Sequence, residues 1–187
     1  MKVEKTEFEG MLVIKPDVFE DNRGKFLELY HKEKFAGLGI PKEFVQDNQS
    51  ISKKGVLRGL HFQIPPFSQG KLVFVVKGKV LDVAVDLRKN SPTYKKYFSI
   101  LLSEENKFLL WIPEGFAHGF LSLEEGTIFE YKCTNPYHKE SEMGIIWNDA
   151  EFAIDWHFKE YGIEKPVISE KDAKLPSFKE IERFSYF

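Results

Sequence analysis

The stretch GVLRGLHFQIPPFSQGKL, residues 55–72, sets Arg58, His61, Gln63 and Lys71 among glycines, prolines and apolar residues. The apolar positions read as a core strand, and such a strand has no use for two fixed cations and an imidazole unless they face a polar cavity. Under strict alternation Arg58, Leu60 and Phe62 share one face, and Leu57, Gly59, His61 and Gln63 the other. That separates Arg58 from His61. A bulge or twist at Gly59, a residue that permits one, turns both inward. The competing reading is an ordinary core histidine beside a surface arginine. The inward reading predicts a cavity that binds an anion and moves protons.

Outward from this stretch the pattern is strand throughout. Apolar and β-branched runs recur between turn signals, with 18 Phe in 187 residues, which is the spacing of a sandwich or barrel. Strands are expected at 11–15, 25–30, 44–52, 56–61, 71–77, 79–87, 97–102, 107–112, 117–122, 127–133 and 144–147, and short helices at 32–38 and 178–184. Gly78 between two apolar runs predicts a hairpin over 71–87. Within it, VLDVAVDL (80–87) puts Leu81, Val83, Val85 and Leu87 on one face and Asp82, Ala84 and Asp86 on the other. The second face is solvent by the general rule that carboxylates stay wet, or else a polar cavity. No repeat, low-complexity tract or linker divides the chain, so 1–187 is expected to be one domain, with N-terminal strands and a C-terminal tail packed on the barrel.

Composition excludes several function classes. The net charge of −2 supplies no cationic field, which argues against nucleic acid as a partner. No segment approaches the roughly 18 apolar residues of a membrane span, and the charged opening MKVEKTEFEG is no signal peptide. A single Cys133 precludes an internal disulfide and fits the reducing cytoplasm. Beside Tyr131, that cysteine reads as packing rather than nucleophile, since no base accompanies it.

A second cluster lies at 109–123, LLWIPEGFAHGFLSL, where Pro113, Glu114 and Gly115 turn the chain and His118 opens the next strand. IPEGFAH after an upstream G-x-H-x-Q resembles the two motifs of the cupin superfamily, small jelly-roll β-barrels. Many cupins hold a metal through two histidines, a carboxylate and a third histidine. Here the set is His61, Gln63, no carboxylate, and His118, with Lys71 where a metal site wants negative charge. The expectation is therefore a site without metal. The inventory suits removal of a proton beside a carbonyl: His61 as base, Lys71 stabilising the enolate oxygen, and a tyrosine, Tyr131 or Tyr137, returning the proton from the opposite face. Strand-face reasoning also puts Asp82 where it could orient His118.

Five blocks, FEDNRGKFLELY (19–30), FVQDNQSISKKGVLRGLHFQ (44–63), QGKLVFVVKGKVLDVAVDLRKNSPTY (69–94), IPEGFAHGFLSL (112–123) and YKCTNPYHKESEMGIIWND (131–149), together resemble the dTDP-4-dehydrorhamnose 3,5-epimerase family over nearly the whole chain. The resemblance implies an all-β cupin jelly-roll barrel with short peripheral helices. It implies an isomerase without cofactor, inverting C3 and C5 of dTDP-4-dehydro-6-deoxyglucose. His61 is similar to the family's base, Tyr131 to its acid, Lys71 to the lysine near the keto oxygen, and Asp172 in ISEKDAKLP (168–176) to the carboxylate paired with the base. Arg23, Glu28, Gln46, Asp47, Asn48, Arg58, His118, Glu142 and Lys171 fall on the family's substrate-binding positions. The resemblance also implies a homodimer whose N-terminal segments complete each other's sites; Phe19 or Phe26 could stack on thymine there, although with 18 Phe in the chain a place in the core is the expectation for either. A relative that inverts one centre, or a non-catalytic sugar-nucleotide-binding barrel, is the alternative.

Overall fold

A computed structural model describes residues 1–40, 43–182 and 187. One antiparallel sheet runs in the spatial order β1 (Lys2–Lys5), β2 (Leu12–Lys15), β10 (Leu109–Ile112), β7 (Lys71–Lys77), β12 (Thr127–Cys133) and β5 (Gln46–Ser52). A second runs β13 (Glu142–Gly144), β6 (Leu57–Gln63), β11 (Phe116–Ser122), β8 (Lys79–Asp86) and β9 (Tyr97–Ser103). The two face each other as a cupin-type jelly roll. The strands β3 (Val18–Asp21) and β4 (Gly24–Leu27) form a separate hairpin that pairs with neither sheet. Helix is confined to α1 (Lys32–Ala36), α2 (Phe178–Ile181) and short 3-10 turns.

Three apolar layers hold these sheets together. Val73, Val75, Ala84, Phe116, Phe120 and Phe129 fill the space between them. Outside the five-stranded sheet, Leu57, Leu60, Phe62 and Val83 pack against Phe152, Trp156 and Phe178 of the C-terminal segment. Outside the six-stranded sheet, Ile14, Leu72, Phe74 and Trp111 meet Phe35 of α1 and Ile40. Central strands are thus covered on both faces, which is why they read as apolar runs rather than as alternating ones.

This double cover overturns the solvent reading of the Asp82 face. Asp82 and Asp86 are both 0% exposed. Asp86 accepts hydrogen bonds from Arg88 Nε at 2.9 Å, Ser91 Oγ at 2.6 Å and Thr93 Oγ1 at 2.7 Å. Burial pushes its carboxyl up, but Arg88 and the two hydroxyls outweigh that and hold it below the usual carboxylate range. Asp86 therefore ties down the loop that ends β8.

The hairpin expected over 71–87 is also corrected. Its two strands form as predicted, but β7 belongs to one sheet and β8 to the other. Gly78, at φ 80°, is the corner at which the chain crosses between them. A glycine permits a sharp change of direction whichever strand then becomes the neighbour. The strand expected at 25–30 is the second arm of the small hairpin and ends at Leu27, while that expected at 144–147 lies earlier, at Glu142–Gly144. β1 and β3 carry no apolar run and were missed. The helix at 178–184 is seen over Phe178–Ile181, and its predicted last two positions, 183 and 184, lie outside the described residues.

Candidate active site

The question raised by residues 55–72 is settled by the pairing of β6 with β11. His118 lies opposite His61 and Phe120 opposite Arg58, so three steps along β6 span two along β11. The extra residue is a bulge at Gly59, whose φ is 112°. A Cβ there would come within 2.7 Å of both Gly119 Cα and the His118 carbonyl oxygen. The bulge resets the alternation: Leu57, Leu60 and Phe62 join the outer layer, while Arg58 and His61 line a cleft of about 550 Å³ between the sheets. Lys71 of β7, His118 of β11, Tyr131 of β12 and Asp172 line the same cleft.

The imidazole of His61 is backed by a carboxylate. His61 Nε2 lies 2.9 Å from Asp172 Oδ1, while Asp172 Oδ2 accepts the Gly59 backbone N–H at 3.0 Å. Burial raises the Asp172 carboxyl, but His61, Gly59 and Ser169 together hold it below the usual range. Asp172 is thus an acceptor only, so the hydrogen between the pair sits on Nε2 and Nδ1 is left as the basic nitrogen. Ser169 Oγ accepts the Asp172 backbone N–H at 3.0 Å and fixes that turn, a Ser-x-x-Asp signal legible in the sequence but not read as such.

Opposite stand the cation and the phenol, both from the six-stranded sheet. Lys71 Nζ lies 5.8 Å from the centre of the Tyr131 ring. Burial lowers the Lys71 ammonium below the ordinary lysine range, against Cys133, Asp82 and Glu142, which raise it. Burial likewise raises the Tyr131 phenol, with Cys133 adding to the effect and Arg58 opposing it. Tyr131 therefore holds its proton until a partner of similar basicity demands it. His118 Nε2 lies 2.8 Å from Asp82 Oδ2, so the orientation expected from strand faces is present. Cys133 is buried in the packing and receives the Asn48 side-chain N–H on sulfur at 3.7 Å.

At the mouth, Arg58 Nε donates to Ser52 Oγ at 3.3 Å. Asn48 lines the cleft, and Gln46 donates to it from the same face of β5, Nε2 to Oδ1, at 3.0 Å. Lys171 Nζ meets both Glu142 oxygens at 2.7 Å, and the Tyr137 hydroxyl donates to the same carboxylate at 2.9 Å. Tyr137 is thus tied to Glu142 at the rim, and of the two tyrosines weighed as acid only Tyr131 lines the cleft. Gln63 is structural, donating to the Phe67 carbonyl at 2.7 Å and accepting the His138 N–H at 2.8 Å.

Gln46, Glu142 and Lys171 border the cleft without lining it, and three further expected binding residues point away from it. Asp47 points to the other face of β5, where it pairs with Lys132 at 2.8 Å, because alternation separates it from Gln46 and Asn48. Arg23 sits in the turn of the β3–β4 hairpin, paired with Asp21 at 2.6 Å, and Glu28 just beyond it pairs with Lys34 at 2.6 Å. Among the described residues, no three His, Cys, Asp or Glu are grouped as metal ligands.

The sequence model for dTDP-4-dehydrorhamnose 3,5-epimerase matches residues 5–180. The chain belongs to that family. The dTDP-4-dehydrorhamnose 3,5-epimerase of Escherichia coli K12 is 50% identical, over 98% of this chain and 97% of the relative. The crystal structure of the Elizabethkingia anophelis 3,5-epimerase is 49% identical with a TM-score of 0.89, covering 96% of this chain and 97% of that one. That of the Legionella pneumophila dTDP-6-deoxy-D-glucose-3,5-epimerase, in complex with dTDP-4-keto-L-rhamnose, is 44% identical with a TM-score of 0.90, covering 96% and 94%.

Proposed function

We infer that this epimerase inverts C3 and C5 of dTDP-4-dehydro-6-deoxy-D-glucose, giving dTDP-4-dehydro-L-rhamnose. The single observation that carries the mechanism is the placement of base and acid on opposite sheets: the His61–Asp172 couple on one side of the cleft, Tyr131 and Lys71 on the other. Inversion beside a ketone needs a base at one face of the sugar ring and a proton donor at the other. His61 Nδ1 takes the C–H proton, the electron pair moves to the C4 oxygen, and Lys71 stabilises the resulting enolate. Tyr131 then delivers a proton to the opposite face. Asp172 supports the imidazolium that forms. Both carbons flank one ketone, so one set of groups serves both.

Arg58, Gln46, Asn48, His118, Glu142 and Lys171 are the residues that bind the nucleotide sugar on this chain, Arg58 suiting a phosphate. Arg23 and Glu28 complete the ligand contacts from outside it: the hairpin arm of a second copy reaches into the cleft, making a homodimer with shared sites, while Asp47, on the far face of β5, stays paired with Lys132. The exposed Phe19 and Phe26 of that arm support this reading. The apolar layer to which both sheets contribute supports reading residues 1–187 as one domain. No helix among the described residues is long and apolar enough to cross a membrane, and the lone buried thiol suits the cytoplasm. Incubation with the 4-keto sugar nucleotide in deuterated water, read by NMR, tests the reading. Deuterium is expected at both C3 and C5; deuterium at one carbon means a mono-epimerase, and at neither a binding protein.

A further inference from the structure

The cleft contains a second histidine–carboxylate couple that base, acid and lysine leave unused. His118 is the cross-strand partner of His61, and its Nε2 lies 2.8 Å from Asp82 Oδ2 much as His61 lies 2.9 Å from Asp172. The two carboxylates differ in their surroundings. Asp172 receives a backbone N–H on its second oxygen, whereas Asp82 Oδ1 is buried without a hydrogen-bond partner. The neighbours of Asp82 along β8, Val80 and Ala84, belong to the apolar layer between the sheets, as do Phe116, Phe120 and Phe129.

A carboxylate in such a place persists as an anion only when cations compensate it. Protonating Asp82 would not relieve it: a proton on Oδ1 would have no acceptor, and one on Oδ2, donated to His118 Nε2, would still leave Oδ1 buried without a partner. The titratable groups that line the cleft with His118 are Arg58, His61, Lys71, Tyr131 and Asp172, and Asp82 adjoins it from β8. The nearest compensation for Asp82 is thus a proton on His118, with Lys71 beyond it. Phe129 lies near-parallel to the imidazole at 6.2 Å between centres. With Nε2 bound to Asp82, the remaining polar atom of the ring is Nδ1.

Resting on the epimerase reading, we propose that Asp82 is a positioning residue that keeps His118 an imidazolium, whose Nδ1–H joins Lys71 as a second hydrogen-bond donor to the enolate oxygen at C4. His118 keeps its proton throughout, so the proton balance of the inversion is unchanged. The arrangement divides labour between two similar couples. The His61 couple must alternate between neutral and charged, and its carboxylate is shared with a backbone N–H. The His118 couple must stay charged, and its carboxylate has no other donor.

The test is ¹⁵N NMR of histidine-labelled full-length protein bound to dTDP, with steady-state kinetics on Asp82→Asn, which keeps the shape and an acceptor but removes the charge. The wild type is expected to show both His118 nitrogens protonated at neutral pH and the variant a neutral His118. The variant's kcat should fall roughly 10–100-fold with KM within about threefold. Because Lys71 also senses Asp82, the His118 signal decides rather than the pH profile. A neutral His118 in the wild type, or an unchanged kcat in a folded Asp82→Asn, overturns the proposal. Should the variant not fold, the wild-type spectrum alone still decides. Wild-type protein that exchanges no deuterium at C3 or C5 overturns the epimerase reading instead, whatever the charge on His118.

Discussion

In the proposed mechanism His61, Tyr131 and Lys71 divide the chemistry, and burial moves two of them in opposite directions, tightening the hold of Tyr131 on its proton and loosening that of Lys71. Asp172 fixes the tautomer of His61, so His61→Ala should abolish deuterium exchange at both carbons while dTDP affinity, read by calorimetry, changes less than about threefold, since the nucleotide is held elsewhere. Tyr131→Phe retains the base and should lose inversion far more than exchange; equal loss would remove Tyr131 from its role. Lys71 yields a pH prediction. Burial lowers its affinity for a proton, and its charged form is the active one, so kcat should decline as pH rises through a value below the ordinary lysine range of ~10.4. Lys71→Arg, charged at every accessible pH, should lack that alkaline limb although its maximum is lower. The same shift has a stability consequence of determinate sign. The unfolded chain binds this proton more tightly than the folded one, so Lys71 makes stability rise with pH between the lowered folded value and the ordinary one.

At the scale of elements, the site depends on how closely β6 and β11 approach. Gly59 and Gly119 face each other across the bulge, and a Cβ on Gly119 would lie 2.6 Å from the Arg58 carbonyl oxygen. Gly119 has no positive φ, so Gly119→Ala tests the steric contact without conformational strain. Overpacking of this kind costs about 1–3 kcal/mol, or a fall in Tm of roughly 2–12 °C in a chain of this size. Because His61 and His118 are paired across the same strands, kcat should fall more than dTDP affinity. A variant that melts normally with full kcat would show that the strands can separate freely there. Gly70 packs as closely, its Cβ position lying 2.4 Å from the Trp111 ring, but it borders Lys71 rather than the histidines.

For the molecule as a whole, the hairpin β3–β4 poses the main question. It pairs with neither sheet and exposes Phe19 at 63% and Phe26 at 70%. Two strands alone are marginal in water, and aromatic faces so open call for a cover. If the arm completes the cleft of a second copy, mixing His61→Ala with Arg23→Ala protein should restore activity. Each mixed dimer then has one site with both native residues, so random exchange recovers about a quarter of wild-type kcat. Mixed samples no more active than their components would confine each site to one chain. Velocity sedimentation of the two separate proteins gives the accompanying check, since both should remain dimers.

Strand content, the second cupin motif and the identities of His61, Lys71, His118 and Tyr131 were legible in residue order, because alternation and turn chemistry are local. The inward turn of Arg58 and His61 was legible only as a possibility at Gly59, since a bulge is defined by the partner strand. The face of Asp82 was left open between solvent and a polar cavity for a related reason: whether the second face of a strand meets water depends on what another part of the chain lays over it. Gly78 announced a change of direction but not that β7 and β8 part into different sheets. The sequence by itself determined which chemical groups are present and the local geometry of their strands. Tertiary structure alone decided which of them share a cleft, because that proximity comes from pairings between strands far apart in the chain, and these depend on how the apolar layers are divided among two sheets and their covers.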